Sequence, residues 1–359
     1  MIIEEIDFNA YVEPVLDWFS KEKRILPWRE KKNPYEIWVS EIMLQQTRVE
    51  AVKPYYERFI AQLPNPKALA ECEEDTLLKL WEGLGYYNRV RNMQKAAQVM
   101  VSSYDGKMPV HYEEIIALPG IGPYTAGAIS SIAFSIPKAA VDGNVLRIIS
   151  RIAEDDFDLL SDKTKKRVQQ YLETYIPDKK AGDFNQALME LGATVCVPNG
   201  KPLCERCPWQ QMCFANLHQT FEQYPKKKKQ KARRMEEKTV LLIADGNRIA
   251  ITKRPSKGLL AGMYEFPNIK GYPEREEVLE YVRQLSLDPI YIEKLPDARH
   301  IFSHIEWLMK GYYIKVGDMS DMKLAGDVIL IENTQIQKKY PLPAAFETYA
   351  QYVNIDLGI

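Results

Sequence analysis

Residues 118–127 read Leu-Pro-Gly-Ile-Gly-Pro-Tyr-Thr-Ala-Gly and decide the fold of the segment around them. Gly120 and Gly122 permit a tight backbone turn, and Pro123 suits the first position of a helix. The stretch therefore predicts a hairpin between a helix that ends near Leu118 and one that begins near Pro123. The N–H groups at that second helix favour an anion such as a DNA phosphate. Taken alone, the stretch also suits an ordinary turn between helices.

On both sides of this hairpin, apolar residues recur at helical spacing from Tyr11 to about Phe221. Strand-like alternation is scarce in this part, so it is predicted to be all-α. The predicted helices cover residues 12–19, 34–44, 54–59, 76–81, 94–101, 124–134, 145–152 and 185–193.

The pattern changes after residue 224. Residues 225–238 are rich in Lys and Arg and predict a basic linker, either simply solvated or also in contact with DNA. Beyond it, strands are predicted at 239–244, 248–252, 300–310 and 311–316, with a turn at 245–247 and a helix at 273–285. The sequence therefore predicts a helical domain (1–224), the linker (225–238) and an α+β domain (239–359).

Bulk composition excludes several classes of protein. The 359 residues are 46% hydrophobic and 27% charged, and the formal net charge is −1. No apolar run reaches the roughly 20 residues of a membrane span, and the acidic N-terminus does not resemble a signal peptide. A cytoplasmic protein without a membrane partner is expected, and any nucleic acid must be bound by a local basic patch.

Four of the five cysteines lie in one short segment, residues 196–213. Seven, two and five residues separate Cys196, Cys204, Cys207 and Cys213 in turn. Thiolates bind soft metals, and a single close pair flanked by lone cysteines favours a 4Fe–4S cluster over zinc, which remains the alternative. Cys72 is interpreted as an ordinary half-buried thiol.

Residues 141–147 read Val-Asp-Gly-Asn-Val-Leu-Arg and precede a predicted helix, so Asp142 suits an N-cap. Together with the glycine hairpin, this stretch resembles the helix-hairpin-helix superfamily of DNA glycosylases. The cysteine segment resembles the endonuclease III branch of that superfamily. These motifs span most of residues 20–215 and imply a DNA partner. Bifunctional members of the branch carry a nucleophilic lysine where this chain has Tyr124, so strand nicking is not expected as the main activity.

Glu41 stands among apolar residues in the predicted helix 34–44. Desolvation there would raise its pKa, although a buried structural Glu paired with an Arg is the alternative. Adenine leaves a sugar readily only when protonated, and a neutral Glu41 could supply that proton. An ionised Asp142 could then stabilise or trap the oxocarbenium ion. Tyr124 and Asn144 are expected to flank the sugar and orient Asp142.

The stretch 40–50, Ser-Glu-Ile-Met-Leu-Gln-Gln-Thr-Arg-Val-Glu, closely resembles the MutY family of adenine DNA glycosylases, as does Leu-Pro-Trp-Arg at 26–29. The resemblance implies excision of adenine opposite 8-oxoguanine or guanine in double-stranded DNA. It implies that Glu41 is the general acid and Asp142 the second carboxylate. It also implies an adenine pocket and DNA contacts formed by Arg24, Trp28, Arg29, Leu44, Gln46, Thr47, Arg48, Tyr86, Gly120, Gly122 and Gln186.

One feature departs from the family pattern. The first two cluster cysteines of the family are usually separated by six residues, and here seven residues separate Cys196 from Cys204. The extra residue is expected to bulge out at Asn199-Gly200.

The C-terminal part resembles the MutT-like domain of the same family through residues 258–267 and 302–304. The resemblance implies that Phe302, Ser303 and His304 recognise the oxidised guanine. A working Nudix hydrolase needs a Glu-rich metal-binding order that is absent here, so no pyrophosphatase activity is expected. The acidic residues near this position are interpreted as a solvated helix face: Glu274, Glu276, Glu277 and Glu280.

Three other functions compete with adenine excision. An endonuclease III-like glycosylase for oxidised pyrimidines is disfavoured by Tyr124 and by the extra domain. A non-catalytic protein that binds damaged DNA is disfavoured by the presence of both Glu41 and Asp142. A standalone Nudix hydrolase is disfavoured by the missing acidic order. A monomer is the expected oligomeric state.

Overall fold

A computed structural model describes residues 2–226, 232–317 and 327–357. The chain divides into two compact units. The first contains Met1–Glu71 and Arg91–Lys229, and the second contains Cys72–Val90 and Gln230–Ile359. The sequence-based division differs, because it assigned residues 72–90 to the helical domain. That segment has a helical pattern like its neighbours, so local periodicity cannot reveal which unit it packs with.

Helices account for most of the described chain up to residue 226. The apolar spacing that predicted them corresponds to their buried faces. They are α1 (Asn9–Glu22), α2 (Pro34–Leu44), α3 (Val49–Gln62), α4 (Pro66–Glu71), α5 (Glu74–Leu80), α6 (Asn88–Ser103), α7 (Tyr112–Ile116), α8 (Pro123–Phe134), α9 (Gly143–Ala153), α10 (Asp162–Glu173), α11 (Ala181–Thr194) and α12 (Phe214–Leu217).

Some of these helices differ from the prediction. The helix α2 begins and ends as expected, with Asn33 as its N-cap. The helix α3 begins at Val49 and contains Pro54, which the prediction placed at the helix start. The helix α10 was missed because it buries only Val168 and Leu172, too few apolar residues for a clear helical pattern.

A mixed β-sheet dominates the second unit. Its strand order is β3-β2-β1-β6-β5, with β4 paired to β1 and β7 paired to β2. The β1–β6 pair is parallel, and the other pairs are antiparallel. The strands and helices are β1 (Arg234–Asp245), β2 (Arg248–Lys253), β3 (Tyr264–Glu265), β4 (Asn268–Lys270), α13 (Arg275–Gln284), β5 (Pro289–Ile301), β6 (Ile305–Val316), β7 (Val328–Glu332), α14 (Asn333–Lys339) and α15 (Glu347–Ala350).

Two predictions in this unit were wrong. Residues 300–310 do not form one strand, because β5 ends at Ile301 and β6 begins at Ile305. The N–H of Phe302 donates to the carbonyl of Ile305 at 2.8 Å and closes a tight turn that lacks the usual Gly or Asn signal. The predicted linker 225–238 is also too long, since β1 pairs with β6 from Arg234 onward. Residues 227–231 of that linker lie outside the described residues.

The acidic helix α13 confirms the solvated-face interpretation. Glu274 and Glu277 form a capping box at its start, and their neighbours Glu276 and Glu280 are exposed. Val278 and Val282 on the opposite face are buried. Separately, no helix in the described ranges is long and apolar enough to cross a membrane.

Candidate active site

Glu41 lies on α2, a helix that is apolar on nearly every side. Ile37, Trp38 and Ile42 are buried around it, and Glu41 itself is only 6% exposed. Burial raises the pKa of Glu41 to about 7, and the nearby charge of Asp142 adds to the rise. A hydrogen bond from Tyr124 and the charge of Arg29 oppose it. A carboxyl group with this pKa is substantially protonated at neutral pH, as a general acid must be.

Tyr124, in the first turn of α8, directly contacts this carboxyl group. Its hydroxyl donates to Oε2 of Glu41 at 2.6 Å and lies 3.0 Å from the sulfur of Met189. The expectation that Tyr124 orients Asp142 is therefore not met in this structure. The hydroxyl instead fixes the rotamer of Glu41, because Tyr124 and Glu41 face each other from α8 and α2.

Asp142 is the N-cap of α9, as the sequence predicted. Its Oδ1 accepts the N–H of Val145 at 2.8 Å, and its Oδ2 accepts Nδ2 of Asn144 at 2.7 Å. Burial raises the pKa of Asp142 from its ordinary value, while these hydrogen bonds and the charge of Arg147 oppose the rise. Asn144 thus orients the carboxylate and favours its charged form.

The segment leading to Asp142 is held by Asn185, a fully buried residue on α11. Its side chain donates to the carbonyl of Lys138 at 2.8 Å and accepts the N–H of Ala140 at 3.0 Å. Gly127 on α8 permits a close approach, because a Cβ there would collide with the carbonyl of Ala139. The position of Asp142 therefore depends on both helices.

Arg24 and Arg29 converge on one buried carboxylate, Glu190 of α11. Arg24 donates to both oxygens of Glu190, at 2.6 and 3.0 Å, and Arg29 donates to Oε2 at 2.8 Å. Glu190 has a side chain only 1% exposed. Burial alone would raise its pKa, but the hydrogen bonds from the two arginines outweigh burial and lower it to about 2. Glu190 is therefore ionised and fixes both guanidinium groups.

The other residues predicted to meet adenine or DNA differ in exposure. Trp28 is buried with its ring against Tyr56 at a centroid distance of 5.3 Å. Leu44, Thr47 and Gln186 are half-buried, whereas Gln46 and Arg48 are exposed. Gln46 has a φ of 61°, a left-handed conformation that is strained for a non-glycine residue and is common at functional turns.

The glycine hairpin forms as predicted, but its two glycines play different roles. Gly120 has a φ of 76°, and a Cβ there would lie 2.5 Å from Cβ of Asn92. Gly122 has an ordinary extended φ, and no atom lies within 4 Å of its position for a Cβ. Only Gly120 therefore has a backbone conformation and a close contact that favour glycine. Its open surface at the start of α8 instead leaves room for a phosphate group.

The four clustered cysteines, Cys196, Cys204, Cys207 and Cys213, line one small cavity. All four thiols are half-buried, and thiolates are ligands that soft metals prefer. Pro198, Asn199 and Gly200 are exposed, and Cys196 lines the same cavity as the other three cysteines.

Two arginines on α9 connect this cavity with Asp142. Arg151 donates to the sulfur of Cys196 at 3.2 Å. Arg147 donates to the carbonyl of Cys196 at 2.9 Å and to Oδ1 of Asn144 at 2.8 Å. Since Asn144 holds Asp142, the cysteine loop supports the carboxylate through a continuous set of hydrogen bonds.

In the second unit, the predicted residues Phe302, Ser303 and His304 form the turn between β5 and β6. The hydroxyls of Ser303 and Tyr86 are 2.6 Å apart and share a hydrogen bond. Phe302 packs its ring edge against buried Trp307 at 4.9 Å. The structure thus places Tyr86 beside the turn 302–304, and the family resemblance implies DNA contacts for both.

Sequence reasoning missed Glu190, Met189 and Arg147 as parts of this site. The partners of Glu190 and Met189 lie far away in sequence, so no local motif links them. Arg147 is different, because its partner Asn144 is three residues away in the stretch 141–147, but its second partner, Cys196, is distant. A signal was nevertheless present for Glu190, because a charged residue interrupts an otherwise apolar helical pattern in α11.

Family models match both parts of the chain. The model for the HhH-GPD superfamily base excision DNA repair protein matches residues 39–178. The model for the NUDIX domain matches residues 239–352. Both agree with the fold class predicted from the motifs.

Relatives of this chain share one name. The adenine DNA glycosylase of Buchnera aphidicola from Acyrthosiphon pisum is 36% identical, covering 81% of this chain and 82% of that protein. The mouse adenine DNA glycosylase is 34% identical, covering 85% of this chain and 70% of that protein. The human adenine DNA glycosylase is 32% identical, covering 85% of this chain and 67% of that protein.

Two solved structures are similar to this chain over its helical part. A thermostable thymine-DNA glycosylase is similar with a TM-score of 0.53 and 29% identity, covering 58% of this chain and 96% of that one. Endonuclease III in a non-covalent DNA complex is similar with a TM-score of 0.51 and 22% identity, covering 59% of this chain and 96% of that one. This second similarity supports the fold alone. This chain is a DNA glycosylase that belongs to the HhH-GPD superfamily of base excision repair proteins and, within it, to the adenine DNA glycosylase family.

Proposed function

We propose that this enzyme hydrolyses the N-glycosidic bond of adenine paired with 8-oxoguanine or guanine in double-stranded DNA. The observation that carries the proposal is the pair of carboxyl groups in the site. Glu41, with a pKa of about 7, can be neutral, while Asp142 is held by hydrogen bonds that favour its charge. The names of the relatives support adenine as the base.

The two carboxyl groups have separate tasks in this reaction. Glu41 gives its proton to a ring nitrogen of adenine, and the glycosidic electron pair leaves with the neutral base. The sugar becomes an oxocarbenium ion, which the carboxylate of Asp142 stabilises or traps. Water then adds to the anomeric carbon and loses its proton to a carboxylate. Tyr124 keeps Glu41 aimed at the base throughout.

The arginine–glutamate cluster supplies the polar wall of the adenine pocket. Adenine has both donor and acceptor groups at its edge, and fixed guanidinium groups and carboxylates complement them. Glu190 holds Arg24 and Arg29 in place, since it accepts from both. The pocket is completed by the remaining predicted residues, Trp28, Leu44 and Gln186.

The bases opposite and beside adenine are contacted by other elements. Gln46 and Tyr86 fill the space that the extruded base leaves, because unstacking costs a few kcal/mol. Thr47, Arg48, Gly120 and Gly122 bind the DNA backbone. In the second unit, Phe302 wedges beside the oxidised guanine, and Ser303 and His304 hydrogen-bond to its altered edge.

The cysteine loop is proposed to hold a 4Fe–4S cluster through Cys196, Cys204, Cys207 and Cys213. Four thiols facing one cavity support this donor set. Such a cluster cross-links a loop that has little core of its own and thereby stabilises it. The hydrogen bonds of Arg147 then transmit that stability to Asn144 and Asp142.

Removal of one cluster ligand should test this assignment. Cys207→Ala is expected to lose iron and acid-labile sulfide from the purified protein and to lower adenine release. The control is Cys72→Ala, which should retain both. Stoichiometric zinc in place of iron in the wild-type protein would contradict the cluster assignment.

The rate of adenine release should depend on pH through Glu41. Because the pKa of Glu41 is about 7 and the acid must be protonated, the single-turnover rate should fall about tenfold per pH unit above that value. The bond from Tyr124 lowers this pKa, so Tyr124→Phe should move the decline to higher pH. A rate that rises with pH across this range would exclude Glu41 as the acid.

Duplexes with different opposing bases test the function as a whole. Adenine is placed opposite 8-oxoguanine, guanine, thymine or cytosine, and strand breaks are measured with and without alkali. We expect adenine release from the first two, with breaks mainly after alkali because Tyr124 replaces a nucleophilic lysine. Binding without base release would favour a recognition protein. Cleavage at oxidised pyrimidines without alkali would favour an endonuclease III-like activity.

A further inference from the structure

The short helix α5 and the turn after it are attached to other parts of the second unit. Asp75 and Lys79 are four residues apart on the same side of α5, and Glu82 lies two residues beyond the end of that helix. Each of them contacts a residue that is more than 170 positions later in the chain. These contacts belong to the unit that Cys72–Val90 shares with Gln230–Ile359.

Glu82 forms the most buried of these contacts and is only 7% exposed. Its Oε1 accepts the N–H of Leu342 at 2.6 Å, and its Oε2 is paired with Lys79. Lys79 also lies 3.5 Å from the carbonyl of Tyr340. A buried carboxylate is stable only where partners replace its lost hydration, so this arrangement is specific.

Asp75, in the first turn of α5, forms the second anchor. Its Oδ1 accepts from Lys253 at 2.7 Å, and its Oδ2 accepts from the hydroxyl of Tyr264 at 3.0 Å. Lys253 is on β2 and Tyr264 is on β3, so this carboxylate is bound to two neighbouring strands. Asp75 near the start of α5 and Glu82 just beyond its end are thus both held by other residues of the second unit.

The chain beyond Glu82 makes a compact turn that carries Tyr86 at its tip. Gly83, Gly85 and Tyr86 have positive φ values of 95°, 68° and 49°. Arg89 donates to the carbonyls of Leu84 and Gly85 at 2.9 and 3.0 Å, which makes the turn rigid. Tyr86 is 52% exposed, and its hydroxyl reaches Ser303.

We propose that Asp75, Lys79 and Glu82 are positioning residues that make Tyr86 move together with the 302–304 turn. This inference rests on the proposed function, in which that turn reads 8-oxoguanine and Tyr86 fills the duplex. Asp75 is bound to β2 and β3, and Glu82 and Lys79 are bound to the segment after α14. Because of these contacts, a shift of the 302–304 turn on its target base carries Tyr86 with it. The anchors therefore set the preference for adenine opposite 8-oxoguanine over adenine opposite guanine.

Glu82→Ala and Asp75→Asn test the proposal by two readouts. The first readout is the ratio of single-turnover rates on duplexes with 8-oxoguanine and with guanine opposite adenine. We expect this ratio to fall about tenfold in Glu82→Ala, since one buried hydrogen-bonded anchor is lost, and less in Asp75→Asn. Glu82→Gln keeps an oxygen for the N–H of Leu342 and should restore part of the ratio. The control is Glu71→Gln, an exposed carboxylate paired only loosely with Lys67.

The second readout is amide hydrogen exchange of residues 83–90 in the DNA-free protein. Exchange should be about tenfold faster in Glu82→Ala, without faster exchange in the buried strand β1. Unchanged exchange, or faster exchange with an unchanged rate ratio, would overturn the inference. A wild-type enzyme that releases no adenine would contradict the proposed function instead, while the exchange readout would still test the anchors.

Discussion

Glu41→Gln is expected to lower the single-turnover rate of adenine release by about 10³-fold. Glutamine has nearly the same size and can still accept the hydrogen bond from Tyr124, but it has no acidic proton for the base. Binding to a duplex with adenine opposite 8-oxoguanine should remain, because Glu41 is buried and contributes no charge to phosphate contacts. The measurement is adenine release under single-turnover conditions, together with duplex affinity at one stated salt concentration.

Glu41→Gln should also change how the free energy of unfolding depends on pH, which checks the pKa of Glu41 independently. In the folded state the pKa of Glu41 is about 7, above its ordinary value of 4.5. The contribution of Glu41 to the free energy of unfolding is therefore complete below pH 4.5 and is lost as pH rises through 7. The loss lowers the free energy of unfolding by about 3 kcal/mol. Urea unfolding at pH 5 and pH 8 should show this loss in the wild type and not in Glu41→Gln.

A carboxylate on the same helix provides the matched control. Glu36 lies on α2 and accepts hydrogen bonds from Asn33 and Tyr56. Glu36→Gln should therefore retain wild-type adenine release. Equal losses in both variants would mean that α2 is merely perturbed, and activity near wild type in Glu41→Gln would contradict the role of Glu41.

Asp142→Asn is expected to lower adenine release by about 10²–10³-fold, because the negative charge that stabilises the oxocarbenium ion is lost. Asparagine is as good an N-cap as aspartate, and its side-chain oxygen can still accept the N–H of Val145. The free energy of unfolding should therefore change by less than about 1 kcal/mol. Rate and urea unfolding measured on the same preparation separate the two roles.

Ser161 is a helix cap without a proposed role in adenine release, so it serves as the comparison for Asp142. It caps α10 through its hydroxyl, which accepts the N–H of Thr164 at 3.4 Å. Ser161→Ala should lower the free energy of unfolding by about 1 kcal/mol and leave the rate of adenine release unchanged. If Asp142→Asn loses stability as Ser161→Ala does but retains its rate, Asp142 is only a helix cap.

The sequence was sufficient where a local pattern determines the environment of a residue. Apolar neighbours on every side of Glu41 predicted its burial, and Asp142 before an apolar helical pattern predicted an N-cap at the start of α9. The cysteine spacing predicted that Cys196, Cys204, Cys207 and Cys213 come together, and they line one cavity. Each of these features depends on residues within about one or two helical turns, so periodicity and turn chemistry suffice.

The remainder depends on contacts between distant parts of the chain. Glu190 is more than 160 residues away from Arg24 and Arg29, and no spacing rule connects them. The packing of residues 72–90 with the sheet depends on Asp75 and Glu82, which resemble ordinary surface charges in the sequence. The turn at 302–304 was missed because Phe, Ser and His are not typical turn residues, and a single hydrogen bond to Ile305 closes it.

The protonation state of Glu41 is the central claim, and a direct titration tests it. The side-chain carboxyl ¹³C resonance of Glu41 can be identified in glutamate-labelled protein by its absence from Glu41→Gln. Burial predicts that this resonance titrates with a midpoint at about pH 7. A carboxyl group that is already fully ionised at pH 5 could not act as the acid near neutral pH, and that result would contradict the proposed mechanism.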